Sequence, residues 1–306
     1  MGLVILAAVI QIVRSLLGGF LMGAADLVPG VSGGTIALVI GIYERLIASI
    51  KEASSALGVL LKGSWAGFRD HLGRVEWLLV IPLLVGILTA VVSLASLLEH
   101  QLETNPTIMA GAFFGLVLGS VLIAWRLVKQ PHSLHYAIGA VVALVTFVSL
   151  GLGEETTVAD PSLVVFFLSG ALAICAMILP GISGSLILLL IGMYPVVLGA
   201  VNDRDYAAVG VFVLGAIVGL AIFSQVLHWA LANHHDVVLA GLVGLMAGSL
   251  RVLWPWPEGV ESSALGAPGS DVVPVVIAAV VGLVLVYVIS LLATGREKVN
   301  EPQPIS

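Results

Sequence analysis

Long apolar stretches alternate with short polar ones along nearly the whole chain, and none has the period-two alternation of a membrane barrel strand. Residues 3–24 are apolar apart from Gln11 and Arg14, and residues 33–50 are apolar up to Tyr43-Glu44-Arg45. Further apolar runs cover about 77–98, 107–126 and 134–151, then 162–177 and 184–200, then about 207–231, 236–254 and 272–293. Runs near 20 residues are what a helix needs to cross a bilayer. The pattern changes between 51 and 76, where Lys51, Glu52, Lys62, Arg69, Asp70, His71, Arg74 and Glu76 share the stretch with Leu57, Leu60, Leu61, Trp65 and Phe68 at roughly helical spacing. That predicts an amphipathic helix lying on the membrane surface.

Two of the apolar regions are copies of one another. Ala25-Asp26-Leu27-Val28-Pro29-Gly30-Val31-Ser32-Gly33-Gly34-Thr35 runs on to Gly41-Ile42-Tyr43, and Ala176-Met177-Ile178-Leu179-Pro180-Gly181-Ile182-Ser183-Gly184-Ser185 runs on to Gly192-Met193-Tyr194. The offset is 151 throughout, and ten of nineteen aligned positions are identical, which makes this an internal repeat. Downstream, Gly86 matches Gly215, Gly115 matches Gly244 and Trp125 matches Trp254 at an offset of 129. The 22 residues of difference are accounted for by the insert 51–76 in the first half.

Each motif places a chain break between apolar helices. Proline removes a backbone donor and disfavours helix just before it, glycine permits positive φ, and serine caps the helix that follows. Non-helical backbone at membrane depth is tolerated only inside protein or beside a wet cavity. A helix starting there presents free N–H groups and the positive end of its dipole, an arrangement suited to an anion. Paired broken segments in corresponding halves are a sequence pointer to the substrate site of a transporter.

The chain has 306 residues, 59% hydrophobic and 10% charged, against about 25% charged in soluble domains. The expected class is an all-α polytopic membrane protein. One cysteine, Cys175, excludes an internal disulfide and a multi-cysteine metal site. There is no HExxH pattern, P-loop, GxSxG elbow or dinucleotide fingerprint, so no metal, no cofactor and no enzymatic role is expected. The N-terminus lacks a cationic leader region and predicts no cleaved signal peptide.

Charge then orients the spans. The insert 51–76 carries four Lys/Arg and is expected in the cytoplasm, as are loop 126–133 with Arg126 and Lys129 and the tail with Arg296 and Lys298. Loop 99–106 with Glu99 and Glu103, loop 152–161 with Glu154, Glu155 and Asp160, and loop 255–271 with Glu258, Glu261 and Asp271 are expected outside. Loop 232–235 then falls inside and loop 201–206 outside. Both ends of the second motif segment thus lie on one side, and the segment reads as a re-entrant hairpin. The expected plan is an inverted repeat, each half a re-entrant helical hairpin plus three transmembrane helices. The first half is 1–151 (hairpin about 11–50, insert 51–76, three spans), the second 152–294 (hairpin about 162–200, three spans), and 295–306 is a cytoplasmic tail.

The candidate anion ligands are Pro29, Gly30, Ser32, Gly33, Gly34, Thr35, Pro180, Gly181, Ser183, Gly184 and Ser185, with Arg251 in the penultimate span as a fixed cation. Asp26 and Glu44 are the candidate coupling acids, since an ionisable residue within an apolar run is a functional candidate. For Asp26, whose repeat partner is Met177, the alternative is a helix-end acid bonded to backbone N–H groups. For Glu44 it is an interfacial pair with Arg45, and for Arg251, whose repeat partner is Leu122, it is a side chain reaching to the interface. Trp125, Trp254 and Trp256 read as an interfacial belt.

The two motifs, with Glu44 after the first and Cys175 before the second, resemble the signature motifs of the PopT-type polyprenyl-phosphate transporters. The resemblance covers about residues 11–293 and neither motif departs from the pattern. It implies a multi-pass protein of a prokaryotic cytoplasmic membrane that returns undecaprenyl phosphate to the inner leaflet for cell-wall synthesis. The partners implied are that lipid and the bilayer, with no nucleic acid; a homo-oligomer is compatible. The alternatives are a transporter of a small soluble anion and a membrane enzyme acting on a lipid phosphate.

Overall fold

A computed structural model describes residues 2–28, 30–152, 158–257 and 265–294. Pro29, the loop acids Glu154, Glu155, Glu258 and Glu261, and the tail with Arg296 and Lys298 lie outside the described residues. The described chain is helical: α1 (Gly2–Asp26), α2 (Gly33–Val39), α3 (Tyr43–Leu61), α4 (Trp65–Arg74), α5 (Trp77–Thr104), α6 (Pro106–Trp125), α7 (Ser133–Ser149), α8 (Leu163–Ile178), α9 (Gly184–Leu190), α10 (Tyr194–Asn202), α11 (Tyr206–Ser249) and α12 (Val272–Thr294). Among the described residues, five helices are long and apolar enough to cross a membrane, six if the bent α9–α10 pair counts as one span. α7 and α8, with 17 and 16 residues, are shorter than the usual span of about 20.

The spans pair through small residues. α1 lies along α5, α8 along the first part of α11, α6 along α12, and α7 along the second part of α11. Large apolar side chains point away from these seams: Val92 is 87% exposed, and Leu144, Val273 and Ile277 are exposed as well. An outer surface of this kind suits hydrocarbon, and close seams rather than water exclusion then hold the helices together. The principal core surrounds α2, which is buried from end to end, with Met22, Val31, Tyr43, Leu79, Val117, Leu242 and Met246 around it.

The runs expected as single helices over 33–50 and 184–200 are each broken. α2 ends after seven residues, and α9 does the same. Gly41 and Gly192 adopt φ of +77° and +71°, which L side chains rarely tolerate. The N–H of Ile42 reaches back to Ala37 O at 3.0 Å, and that of Met193 to Leu188 O at 2.8 Å. These are six-to-one closures of a Schellman stop, and the apolar pattern runs straight through them. After its stop the second segment turns by 107° from α9 into α10.

Two further boundaries differ from the hydropathy reading. The insert 51–76 is not one helix: α3 continues through its first part, and Ser64 caps a separate α4 by accepting from Gly67 N–H at 3.3 Å. The runs expected at 207–231 and 236–254 meet within α11 (Tyr206–Ser249), two helices joined at a kink where His234 has non-helical torsions. At 1.5 Å per residue 44 residues span about 66 Å, twice a hydrocarbon core of about 30 Å, a length sufficient for two crossings, on either side of His234.

α3 and α4 are tied by a small polar cluster. Glu52 accepts from Lys51 Nζ at 2.6 Å and meets His71 Nδ1 at 2.7 Å. Desolvation works against its charge, but the contacts with Lys51 and His71 prevail and hold the carboxyl below its ordinary value of 4.5. A carboxyl depressed on folding stabilises above its unfolded pKa and loses that contribution as pH falls through the folded one. Hydrogen exchange across α4 is therefore expected to speed several-fold below pH 4.5, and Glu52→Gln to bring the faster exchange to neutral pH. Unchanged exchange in the variant would remove Glu52 from the α3–α4 tie.

The loops gather at two ends. At one, Arg45 Nε donates to Glu76 at 3.1 Å, Glu44 meets His235, and Asp236 accepts from the N–H groups of Lys129 and Gln130. At the other, Val158 N–H donates to Gly192 O, and Trp254 and Trp256 donate to Gly266 O and Asp271. The first set comprises loops whose charge or place in the chain assigns them to the cytoplasm, the second those assigned outside.

Candidate functional site at the paired breaks

The first break begins at Asp26, the last residue of α1. Its Oδ1 accepts from Gly33 N–H at 2.6 Å, so a carboxylate seven residues upstream caps α2. Ser32, the N-cap residue, accepts from Gly34 N–H at 3.1 Å. Its hydroxyl proton turns away from α2 to the far break, with Leu179 O at 3.2 Å and Met177 O at 3.4 Å. Tyr43 donates to Ile178 O at 3.2 Å. The carbonyls at the end of α8 have no partner within their own helix, and the first motif supplies partners.

The exchange runs the other way as well. Gly181 N–H donates to Thr35 Oγ1 at 2.9 Å. Ser32, Thr35 and Tyr43 are 1%, 0% and 2% exposed; the Gly181–Thr35 bond is buried, and the bonds to the end of α8 are partly so. Gly34 sits so close that a Cβ there would lie 2.9 Å from Ile178 O. The two breaks therefore meet tip to tip. One stretch of chain backs both: Gly30 packs against Val252 and Leu253, and Gly181 against Met246.

The copies differ in what remains open. Gly33, Gly34 and Thr35 are buried and their polar groups engaged. Ser183 does not cap α9 with its side chain; its hydroxyl meets that of Ser185 at 2.7 Å. Ser185 is exposed, Ser183 and Gly184 are half-buried, and Met177 is 46% exposed beside them. Pro180 is buried within the junction. The structure thus has a closed first tip and a second tip whose hydroxyls face outward among apolar side chains. The arrangement can offer N–H and O–H donors to an anion, at once from the second motif and from the first only if the tips separate.

The other two candidates make contacts of their own. Arg251 adjoins Val252 in sequence, but its guanidinium lies 4.7 Å from the centre of the Phe147 ring and against Gly151, at the end of α7. Glu44 stands in the first turn of α3 and meets His235 Nε2 at 2.9 Å. Two contributors were missed in the sequence reading, Tyr43 and the pair His235–Asp236. Tyr43 recurs as Tyr194, a signal that was present, yet Tyr194 is 41% exposed and the equivalence gives no hint of the bond to Ile178. Among the described residues, no group of three His, Cys, Asp or Glu is placed to hold a metal ion.

A family model described as undecaprenyl phosphate translocase-like matches residues 22–267. A polyprenyl-phosphate transporter of Vibrio cholerae is 43% identical over 248 residues, covering 79% of this chain and 77% of that protein. A polyprenyl-phosphate transporter of Staphylococcus aureus is 32% identical over 257 residues, covering 79% of this chain and 86% of that one. No solved structure matches.

Proposed function

Because the chain belongs to the undecaprenyl phosphate translocase-like family, we propose that it carries a polyprenyl phosphate, undecaprenyl phosphate above all, between the leaflets of a prokaryotic cytoplasmic membrane so that the carrier lipid is reused. The observation that carries the site is the mutual bonding of the two breaks through Ser32, Thr35 and Gly181. Such a junction at membrane depth is where a polar head finds donors while its tail remains in hydrocarbon.

Two features support an inverted repeat working by alternating access. The helices α6 and α12 pair as α7 pairs with the second part of α11, so each half contributes a helix to a seam with the other. The loops assigned by charge to opposite sides also sit at opposite ends, with the amino- and carboxy-terminal segments on the cytoplasmic side. The phosphate first meets Ser183, Gly184 and Ser185. It gains Ser32, Gly33, Gly34 and Thr35 as the tips part, with Gly30, Pro180 and Gly181 shaping the turns and Pro29 a candidate from the sequence alone. Asp26 already occupies the Gly33 N–H that a phosphate would use, so a proton on Asp26 would weaken this competitor and couple the cycle to a proton gradient. Glu44 is the second coupling candidate.

A transporter of a small soluble anion would need a polar path sealed from lipid, whereas exposed Ser185 stands beside the exposed apolar side chain of Met177. An enzyme would consume the lipid phosphate. The test is head-group accessibility of undecaprenyl phosphate in liposomes holding the purified protein, with and without a pH gradient. Intact lipid is expected to change leaflet, and Ser183→Ala/Ser185→Ala to slow it roughly 10-fold, as loss of one or two hydrogen bonds to a charged group predicts. Released phosphate would establish the enzyme instead. Absence of both, with uptake of soluble anions, would establish the other transporter.

A further inference from the structure

At the end of the molecule assigned to the cytoplasm, His235 bridges two acids. Its Nε2 lies 2.9 Å from Glu44 Oε1, and its Nδ1 lies 2.9 Å from Asp236 Oδ1. Asp236 is also held by two backbone donors, Lys129 N–H at 3.2 Å and Gln130 N–H at 2.9 Å. A neutral imidazole carries one N–H, so it donates to one carboxylate and turns a lone pair towards the other. Both contacts are favourable together only when the bridge holds one proton more than a neutral imidazole and two carboxylates.

The bridge joins three parts of the chain at points where the backbone is already interrupted. Glu44 opens α3 just beyond the Gly41 stop that ends the first hairpin. His235 and Asp236 follow the non-helical His234, whose ring meets Trp229 edge-on at 5.7 Å. Lys129 and Gln130 belong to the connection between α6 and α7. The helix leaving the break carries Met246, the residue packed on Gly181, and leads to Val252 and Leu253 against Gly30. A rigid element thus links this bridge to the backing of both tips.

We propose that His235 is the positioning residue that fastens the base of the first hairpin to α11, and that uptake and loss of its bridging proton close and open that fastening during transport. The inference rests on the transporter reading for its role and on the geometry for its existence. Asp236 is the better-held acid, with three donors, so loss of the proton leaves the imidazole N–H on Asp236 and releases Glu44. The charged and titratable neighbours are Arg45, which is engaged by Glu76, Lys129 and Arg126 on the α6–α7 connection, His132 and His135, which contact one another, and His234. Among the described residues, none of these side chains bonds His235, Glu44 or Asp236, so the bridging proton is shared within the triad.

The test uses the full-length protein in liposomes, over about pH 5 to 8, where histidine ordinarily titrates. Exchange of the amides at 42–47 and 129–130, corrected for the intrinsic pH dependence of exchange, is expected to be slow at the acid end and at least 10-fold faster at the alkaline end. His235→Gln and Glu44→Gln are each expected to abolish that pH step, and the double variant to match the singles. Leaflet exchange of undecaprenyl phosphate is expected to lose the same pH dependence in His235→Gln while retaining transport at some pH. A pH step that persists in His235→Gln overturns the fastening. A step lost in exchange but kept in transport overturns its role in the cycle. If the wild-type protein shows the exchange step but moves no lipid, the transporter reading fails and the fastening stands.

Discussion

Replacing Gly115 by leucine is expected to leave almost no folded protein in the membrane. A Cβ at that position would fall on the backbone carbonyl of Ala279, and at Gly282, on the facing helix, a Cβ would fall on the carbonyl of Ala112. The collision is with main chain on both sides, so no side-chain rotamer relieves it. α6 and α12 would have to separate, giving up the contacts that replace a hydrophobic driving force between helices in lipid. Over-packing of a well-filled seam costs about 1–3 kcal/mol where side chains can yield, and main chain yields less. Thermal unfolding in detergent, followed by loss of the monodisperse species, is the measurement. The expected result is a fall of 10 °C or more, or no recoverable protein, taking about 2–4 °C per kcal/mol for a chain of this order. Gly210→Leu is the control, since a Cβ there meets nothing within 4 Å and surface changes usually stay within about 0.5 kcal/mol. Equal melting of the two variants would contradict the α6–α12 seam.

The second large effect is expected from Thr35→Val, which keeps shape and removes one acceptor. Gly181 N–H would then be buried without a partner, a penalty of about 1–3 kcal/mol. This cost falls only on the state with the tips joined, because parted tips can find other partners. A penalty of that size shifts the population between joined and parted tips by roughly 5- to 150-fold. Lipid translocation is expected to fall by roughly 5-fold or more, with the protein still folded, and Thr35→Ser to restore it. Ser32→Ala acts on the same junction through Leu179 O, so the double variant should fall short of the sum. Full transport by Thr35→Val would mean that the cycle does not pass through the joined state.

Much of this arrangement was legible in residue order. The membrane helices follow from the apolar runs, and Ser32 as the cap of α2 follows from the motif. What periodicity could not deliver were the stops at Gly41 and Gly192, because apolar residues continue across both and only a positive φ ends the helix. The repeat also concealed a difference. Ser32 and Ser183 are equivalent by alignment, yet one is buried in the junction and the other faces outward. The explanation lies at two other aligned pairs. Asp26 and Thr35, which take the N–H groups of Gly33 and Gly181, stand opposite Met177 and Leu186, which cannot. Departures from the repeat mark the bonded side, a signal readable only once the partners are known. The triad of Glu44, His235 and Asp236 joins residues nearly two hundred positions apart, and no local pattern announces it.

The exchange of partners between the halves bears on how the chain is made. α6 ends at Trp125, and α12, against which its glycine face closes, begins at Val272. At about 5–20 residues per second, the 147 residues from 125 to 272 take roughly 7 to 30 s to synthesise. For that interval α6 sits in the bilayer with its small-residue face turned to lipid or to the insertion machinery, and the second part of α11 is still absent when α7 enters. Insertion order and tertiary order are therefore uncoupled. The first half cannot mature ahead of the second, so a ribosome that stalls after the first half leaves α1 and α5 paired but α6 and α7 awaiting partners, a natural substrate for membrane quality control.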